Sequence, residues 1–262
     1  MPYVTVKLTS GLGNRFFQVA AMLGYAERRG HTPVFIKEWI EPCPHPGPKS
    51  ITDLFPDIPV MNVVGTGSWS TITMPDCDAF AYKELPFVFD KNVKLCGYFQ
   101  TEQYFPSYKI VPNCIANKGV VVPLGTAFMH VRRGDYLHPA NCHHRVDLDS
   151  YYRTALSLFP EDCMILVVSD DIAWCREELP RLYGDVIAAH RWILAGEQTS
   201  DYHTLGLMSQ CTAGGICANS TFSWWGAYFI ENPDKVVTMP SVWGHPPLPP
   251  AVDIWPSWVV KI

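Results

Sequence analysis

Thr126-Ala-Phe-Met-His-Val-Arg-Arg-Gly-Asp-Tyr136 is a short apolar strand that runs out into two adjacent arginines, a glycine and an aspartate. Apolar runs of this kind alternate with helical periods through the second half of the chain. The stretch is therefore read as one strand of a parallel sheet in an α/β fold. Arginine holds five donors in a rigid fork, suited to bidentate contact with phosphate oxygens. At the carboxyl end of such a strand the fork points where phosphorylated ligands usually sit. A diphosphate-bearing ligand is the first functional expectation. The competing reading is a surface loop with solvated charges, the usual fate of an Arg-Arg pair.

On either side of this strand the pattern is regular in one direction and broken in the other. Downstream, helices are expected over Asp149–Phe159, Ala173–Leu182, Thr199–Cys211 and Ser220–Asn232. Strands are expected over Met164–Ser169, Val186–Ala189, Gly215–Ala218 and Lys235–Met239. Upstream, Tyr3–Leu8 reads as a strand, followed by Ser10-Gly-Leu-Gly-Asn-Arg15, a helix to about Arg29 ended by Gly30, and a strand over Thr32–Ile36. From Glu41 to about Pro86 the chain is rich in Pro, Gly, Ser and Asp, which predicts long loops, before a strand over Val93–Gln100. Two Rossmann-like domains facing a central cleft are the economical reading. Residues 1–120 form the first, residues 121–244 the second, and residues 245–262 a tail that packs back over both.

Composition limits the function classes. With 48% hydrophobic and 17% charged residues the chain is globular and well cored. A net charge of −5 supplies no global basic field for nucleic acid or an anionic membrane, so any anion site is local. Nine cysteines, an odd count with no C-x-x-C pair, point to a reducing compartment. The amino terminus begins directly as a strand. No apolar run approaches the roughly 20 residues of a spanning helix, so a membrane anchor is not expected and a cytoplasmic protein is.

Three further segments carry chemistry. Gly11-Leu-Gly-Asn-Arg15 is a glycine-bearing turn before a helix, where an anion is favoured by the helix amino terminus. It lacks the third glycine and the acidic follower of a dinucleotide fingerprint, which argues against a nucleotide-dependent oxidoreductase. Val167-Val-Ser-Asp-Asp171 delivers two carboxylates from a buried strand. Such a carboxylate can accept from a guanine edge or a ribose hydroxyl, although capping the next helix is its commoner role. Ala218-Asn-Ser-Thr-Phe-Ser-Trp-Trp-Gly-Ala227 feeds a strand into a helix whose first turn offers hydroxyls and free backbone N–H groups. Asp76-Cys-Asp78 and Asp147-Leu-Asp149 match the D-x-D pattern of metal-dependent transferases. The first lies in a loop-rich region and Asp149 reads as a helix cap, so no metal is expected.

In order, Gly11-Leu-Gly-Asn-Arg-Phe-Phe-Gln18, Gly97-Tyr-Phe-Gln100, His130-Val-Arg-Arg-Gly-Asp-Tyr136, Val168-Ser-Asp-Asp171 and Asn219-Ser-Thr-Phe-Ser-Trp-Trp-Gly-Ala227 closely resemble α-1,2-fucosyltransferases. These belong to a wider group with α-1,6- and protein O-fucosyltransferases. The resemblance implies a GT-B fold and metal-independent transfer of fucose, with inversion, from GDP-β-L-fucose to a glycan acceptor, O2 of a galactoside above all. No cofactor beyond the donor is implied. Carried over by motif, Arg132 would contact the donor β-phosphate with support from Arg133, while His130 and Asp135 shape the arginine loop. Asp171 would read guanine, and Ser220, Thr221, Phe222 and Ser223 would hold the pyrophosphate and nucleoside. Gly13 and Asn14 would face the donor from the first domain.

A general base is not assigned by any motif. Asp135 and His138 lie near the donor segment, and Glu38, Glu41 and His45 are candidates in the first domain. The chain is short and lacks the anchor of animal Golgi relatives, which fits a bacterial or viral enzyme. The alternatives are fucosyl transfer with another linkage, α-1,6 or protein O-linked, and a non-catalytic GDP-sugar or glycan-binding protein of the same fold.

Overall fold

A computed structural model describes residues 1–44, 50–116, 121–187, 191–194 and 200–262. The chain divides into two α/β units, each with its own parallel sheet, the architecture expected from the alternation of strands and helices. Unit 1 comprises Met1–Asn113 with Pro249–Pro256, and unit 2 comprises Cys114–Leu248 with Ser257–Ile262.

In unit 1, β1 (Tyr3–Val6) lies between two parallel neighbours, β2 (Thr32–Pro33) and β6 (Asn92–Cys96), with β5 (Trp69–Thr73) outside β6. The register Val4↔Val93 and Val6↔Leu95 puts four apolar side chains on one face, all but fully buried. Helix α1 (Leu12–Arg29) packs beside β1 and ends at Gly30, whose φ of 67° is the left-handed value a helix stop requires. Gly24 is needed for a close approach, since a Cβ there would fall 1.9 Å from the Tyr104 carbonyl oxygen. Arg28, one turn on, donates to the Tyr104 and Phe105 carbonyls at 2.9 and 2.8 Å.

The expected strand over Thr32–Ile36 is split into β2 and β3 (Phe35–Ile36), because Phe35 leaves the main sheet to pair with Val60 of β4 (Val60–Met61). The expected strand over Val93–Gln100 stops at Cys96, where Gly97 turns to a φ of 149°. Between Glu41 and Pro86 the described chain holds only β4, β5, the four-residue helix α2 (Ile51–Leu54) and a 3-10 turn, in keeping with its Pro and Gly content. Among its described residues unit 1 thus has one long helix, fewer than a full Rossmann-like repeat.

In unit 2 the sheet order is β12-β11-β10-β7-β8-β9. The strands are β7 (Thr126–Val131), β8 (Met164–Ser169), β9 (Arg191–Leu194), β10 (Gly214–Ile216), β11 (Val236–Met239) and β12 (Val260–Lys261). Every residue of β7 is buried, as expected of a central parallel strand covered on both faces. On one face, Ala127, Met129 and Val131 pack with Tyr151, Tyr152 and Ala155 of α4 (Asp149–Leu156), and with Ile172, Cys175 and Leu179 of α5 (Ile172–Ile187). Gly215 admits the Phe128 ring, which a Cβ would meet at 2.2 Å. The two remaining helices, α6 (Asp201–Met208) and α7 (Thr221–Tyr228), pack together, with Gly226 set against Met208.

Two sequence expectations are corrected here. Val186 and Ile187 are helical, the end of α5, and the next strand is β9, which pairs with β8 through Met164↔Arg191 to Val167↔Leu194. A β-branched pair after Gly184 reads locally as strand, but pairing with β8 selects the Arg-Trp-Ile-Leu run instead; Ala189 lies outside the described residues. Asp149 is not a helix cap. It is the first residue of α4, and its N–H donates to Asp147 Oδ1 at 3.0 Å. The helix expected over Thr199–Cys211 is α6, capped by Ser200, whose Oγ accepts from the His203 N–H at 3.3 Å, and Thr199 is outside the described residues.

Candidate functional site at the carboxyl edge of the unit 2 sheet

The register Val131↔Ser169 ends β7 and β8 at the same level, so Arg132-Arg133 and Asp170-Asp171 leave the sheet side by side. On the other side of β7, β10 leads through Cys217-Ala218-Asn219-Ser220 into α7. Three loops therefore open at one sheet edge, and the expected residues His130, Arg132, Arg133, Asp135, Asp171, Ser220, Thr221, Phe222 and Ser223 lie on them or on the elements they join. Gly13 and Asn14 belong to unit 1.

Arg132 is gripped by two carboxylates. Its Nη1 lies 2.8 Å from Asp170 Oδ2 and its Nη2 donates to Asp135 Oδ1. Its guanidinium carbon stands 5.2 Å from the centre of the Tyr136 ring. Arg133 donates through Nε to Asp171 Oδ2 at 3.0 Å and lies 3.8 Å from the Trp174 ring centre. Its backbone N–H donates to Asp170 Oδ1 at 2.9 Å. Two arginines and three aspartates thus share one edge. Arg132 nevertheless keeps Nε–H and the second hydrogen of each terminal nitrogen for another acceptor.

Asp171 takes the role of helix cap. Its Oδ1 accepts from the Trp174 N–H at 3.1 Å while Oδ2 holds Arg133. Ser220 caps α7, its Oγ accepting from the Phe222 N–H at 3.3 Å. Ser223 is fully buried, and its hydroxyl is turned inward to the Ala218 and Ser220 carbonyls. The start of α7 carries no acidic residue in its first turn, which leaves its N–H groups favourable to an anion.

His130 is buried at the end of β7 with its ring 5.7 Å from that of Phe222. Burial, aided by the Arg132 charge, lowers its pKa to about 3, so the imidazole is neutral. Its Nδ1 has no hydrogen-bond partner among the described residues. Tyr136, whose pKa burial raises to about 12, donates to the Asn219 carbonyl at 3.1 Å and stacks on His144 with ring centres 4.7 Å apart. Asn219 is buried, and its amide donates to the His144 and Trp243 carbonyls at 2.8 and 2.9 Å.

Asp170, Tyr136 and Asn219 join the expected residues at this edge and were not assigned from the sequence. The signal for Asp170 was available in the equal lengths of β7 and β8, which place it level with Arg132.

In unit 1, the glycine turn is tied down from beneath. Arg15, buried, donates to the Ser10 carbonyl at 2.9 Å and the Glu41 carbonyl at 2.6 Å. Gln18 accepts from the Thr9 N–H and donates to the Gly97 carbonyl. Asn14 Oδ1 accepts from Gln100 at 2.8 Å. The start of α1 has no side-chain cap.

The described candidate bases are engaged. Glu41 holds Lys7 at 2.7 Å and accepts from Thr9 at 2.7 Å, and the Lys7 and Thr9 hydrogen bonds hold its pKa below the usual value. Glu38 accepts from the Val63 N–H, and His138 accepts from the Ala140 N–H. His45 is outside the described residues. Among the described residues no group of three His, Cys, Asp or Glu could hold a metal ion, and no helix is long and apolar enough to cross a membrane.

The stretch that supplies these loops matches a family model, Glycosyl transferase family 11, over residues 121–244. The resemblance to fucosyltransferases read from the motifs is met by relatives of that kind. The O-antigen biosynthesis glycosyltransferase WbnK of Escherichia coli is 30% identical over 137 residues, 49% of this chain and 42% of that one. An alpha-1,2-colitosyltransferase of Escherichia coli is 24% identical over 93% of both chains. The galactoside alpha-(1,2)-fucosyltransferase 1 of Lagothrix lagotricha is 34% identical over 38% of this chain and 27% of its own length. The chain thus spans less than half the length of WbnK and of the monkey transferase. Among solved structures, NodZ alpha-1,6-fucosyltransferase soaked with GDP-fucose has a TM-score of 0.46 at 15% identity, covering 88% of this chain and 93% of that one.

Proposed function

We propose that this chain is an inverting, metal-independent glycosyltransferase that moves L-fucose from GDP-β-L-fucose to O2 of a galactoside. The observation that carries the reading is the Arg132–Arg133 pair, level with the start of α7, inside the family 11 segment. In this reading unit 2 holds the donor and unit 1 the acceptor, and the protein works in the cytoplasm. The eight cysteines described are all free thiols, which fits a reducing compartment.

The acceptor hydroxyl oxygen attacks the anomeric carbon as the bond to the β-phosphate oxygen breaks, and GDP departs with the electron pair. Negative charge grows on GDP in the transition state, so fixed donors aimed at it lower the barrier. Arg132 is preset for that task by its two carboxylates, and the α7 N–H groups add to it. The acceptor proton passes to a base or to solvent. With Glu41 held as a low-pKa carboxylate on Lys7 and Thr9, its part is to fix the loop before α1, where Arg15 also meets its carbonyl.

Incubation with GDP-fucose and a panel of galactosides, reading free GDP and product linkage, tests the reading. Arg132→Ala should lower the rate by about 10²–10³ without unfolding the protein. Retention of more than about a tenth of the rate defeats the assignment. No turnover on any acceptor, with GDP-fucose still bound, supports a non-catalytic binding protein. Chelator treatment should leave the rate unchanged. A second reading follows from the relative that matches over 93% of both chains: the sugar moved is colitose, which a donor panel separates from fucose.

A further inference from the structure

Asp170 stands at the crossing point of the arginine loop. Its Oδ2 takes Arg132 Nη1 at 2.8 Å, and its Oδ1 takes the Arg133 backbone N–H at 2.9 Å. One carboxylate therefore fixes both the side-chain fork of one arginine and the main chain of the next. Gly134 completes the arrangement, because a Cβ there would lie 2.3 Å from Asp170 Oδ2. Asp135 receives the other terminal nitrogen of Arg132, so the guanidinium plane is set by two carboxylates before any ligand arrives.

We propose that Asp170 is the positioning residue of the donor site: it holds the Arg132 fork and the Arg133–Gly134 main chain in the geometry that meets the diphosphate. The proposal rests on the reading of this edge as a nucleoside-diphosphate site. It has a consequence opposite to simple charge counting. A carboxylate beside a phosphate site repels the ligand, so neutralising it should tighten binding if charge alone acted. If Asp170 positions the fork, neutralising it loosens binding despite the added positive balance. Asparagine keeps the shape and can still accept from the Arg133 N–H. The amide nitrogen that then faces Arg132 cannot accept, so the ion pair with its guanidinium is lost.

The test is GDP binding by calorimetry to the whole chain and to Asp170→Asn, with thermal melts to show that both are folded. The expected result is weakening of about tenfold, the scale of one lost charge-assisted hydrogen bond. In turnover, Asp170→Asn should raise KM for the donor and lower kcat while leaving KM for the acceptor unchanged. Weakening of less than threefold, or tighter binding, overturns the proposal. Gly134→Ala gives a second reading that does not depend on one variant. It should weaken GDP binding in the wild-type background and cost nothing further in Asp170→Ala, where the clashing oxygen is gone. Additive losses overturn the shared mechanism. If the wild-type chain itself fails to bind GDP, the reading of the edge falls and not the role of Asp170 within it.

Discussion

Replacing Asn219 by alanine removes both hydrogen bonds that its amide gives to the His144 and Trp243 carbonyls, at 2.8 and 2.9 Å inside unit 2. Asn219 is only 3% exposed, so water cannot take its place. Each buried acceptor left without a donor costs about 1–3 kcal/mol, and the pair amounts to about 3 kcal/mol. For a domain of this size that is roughly a 6–12 °C fall in melting temperature, at about 2–4 °C per kcal/mol. The assay is thermal unfolding by circular dichroism, with urea unfolding to convert the shift to free energy. Asn219→Asp sharpens it. The ionised carboxylate would set an oxygen against two carbonyls, so this variant should be less stable than the alanine variant at neutral pH. Its buried carboxyl has a folded pKa above the unfolded value, so its stability falls as pH rises and recovers as pH is lowered towards about 4. A shift below about 2 °C for Asn219→Ala, or a pH-independent Asp variant, refutes the reasoning.

His130 predicts a pH dependence with a definite sign. Its folded pKa of about 3 lies below the ordinary histidine value of 6.5, because burial disfavours the charged ring. The unfolded chain therefore binds the extra proton as pH drops below 6.5, and the native stability it supports is lost between that point and about 3. The slope should reach about 1.4 kcal/mol per pH unit at most, and His130→Gln should flatten it in urea melts taken from pH 7 to pH 4. Equal slopes for the two proteins would count against a buried neutral ring. Gly24→Ala is expected to destabilise unit 1 by about 1–3 kcal/mol or more, the cost of overpacking, since its Cβ would fall 1.9 Å from the Tyr104 carbonyl oxygen. An unchanged urea midpoint would show that the loop gives way.

Much of this layout was legible in the sequence because unit 2 is periodic. The strands β7, β8 and β11 are largely buried apolar runs, so they stand close to where the pattern places them. What local reading could not supply is whatever register and tertiary pairing decide. The strand after α5 moved to Arg191–Leu194 because β8 needed that partner. Asp171 uses one oxygen to cap the turn before α5 and the other to hold Arg133, a pairing that only the folded edge reveals. Ser223, at the third position of α7, gives its hydroxyl to the Ala218 and Ser220 carbonyls, which sequence alone does not show. The role of Asp170 depends on two strands ending level, a fact carried by neither motif alone.

The order in which the chain builds its two units has a consequence for synthesis. Residues 249–256 return to unit 1, where Asp253 accepts from the Tyr82 N–H at 2.8 Å and donates its own N–H to the Phe80 carbonyl at 2.8 Å. Residues 257–262 go back to unit 2, where Val260 and Lys261 pair with Thr238 and Met239. On a ribosome, unit 1 emerges first yet waits for a segment made after nearly all of unit 2. Neither unit has its full set of contacts until the same few residues have been made. A single cut in the chain cannot yield both units whole, and expressing either alone requires grafting its distant segment back onto it.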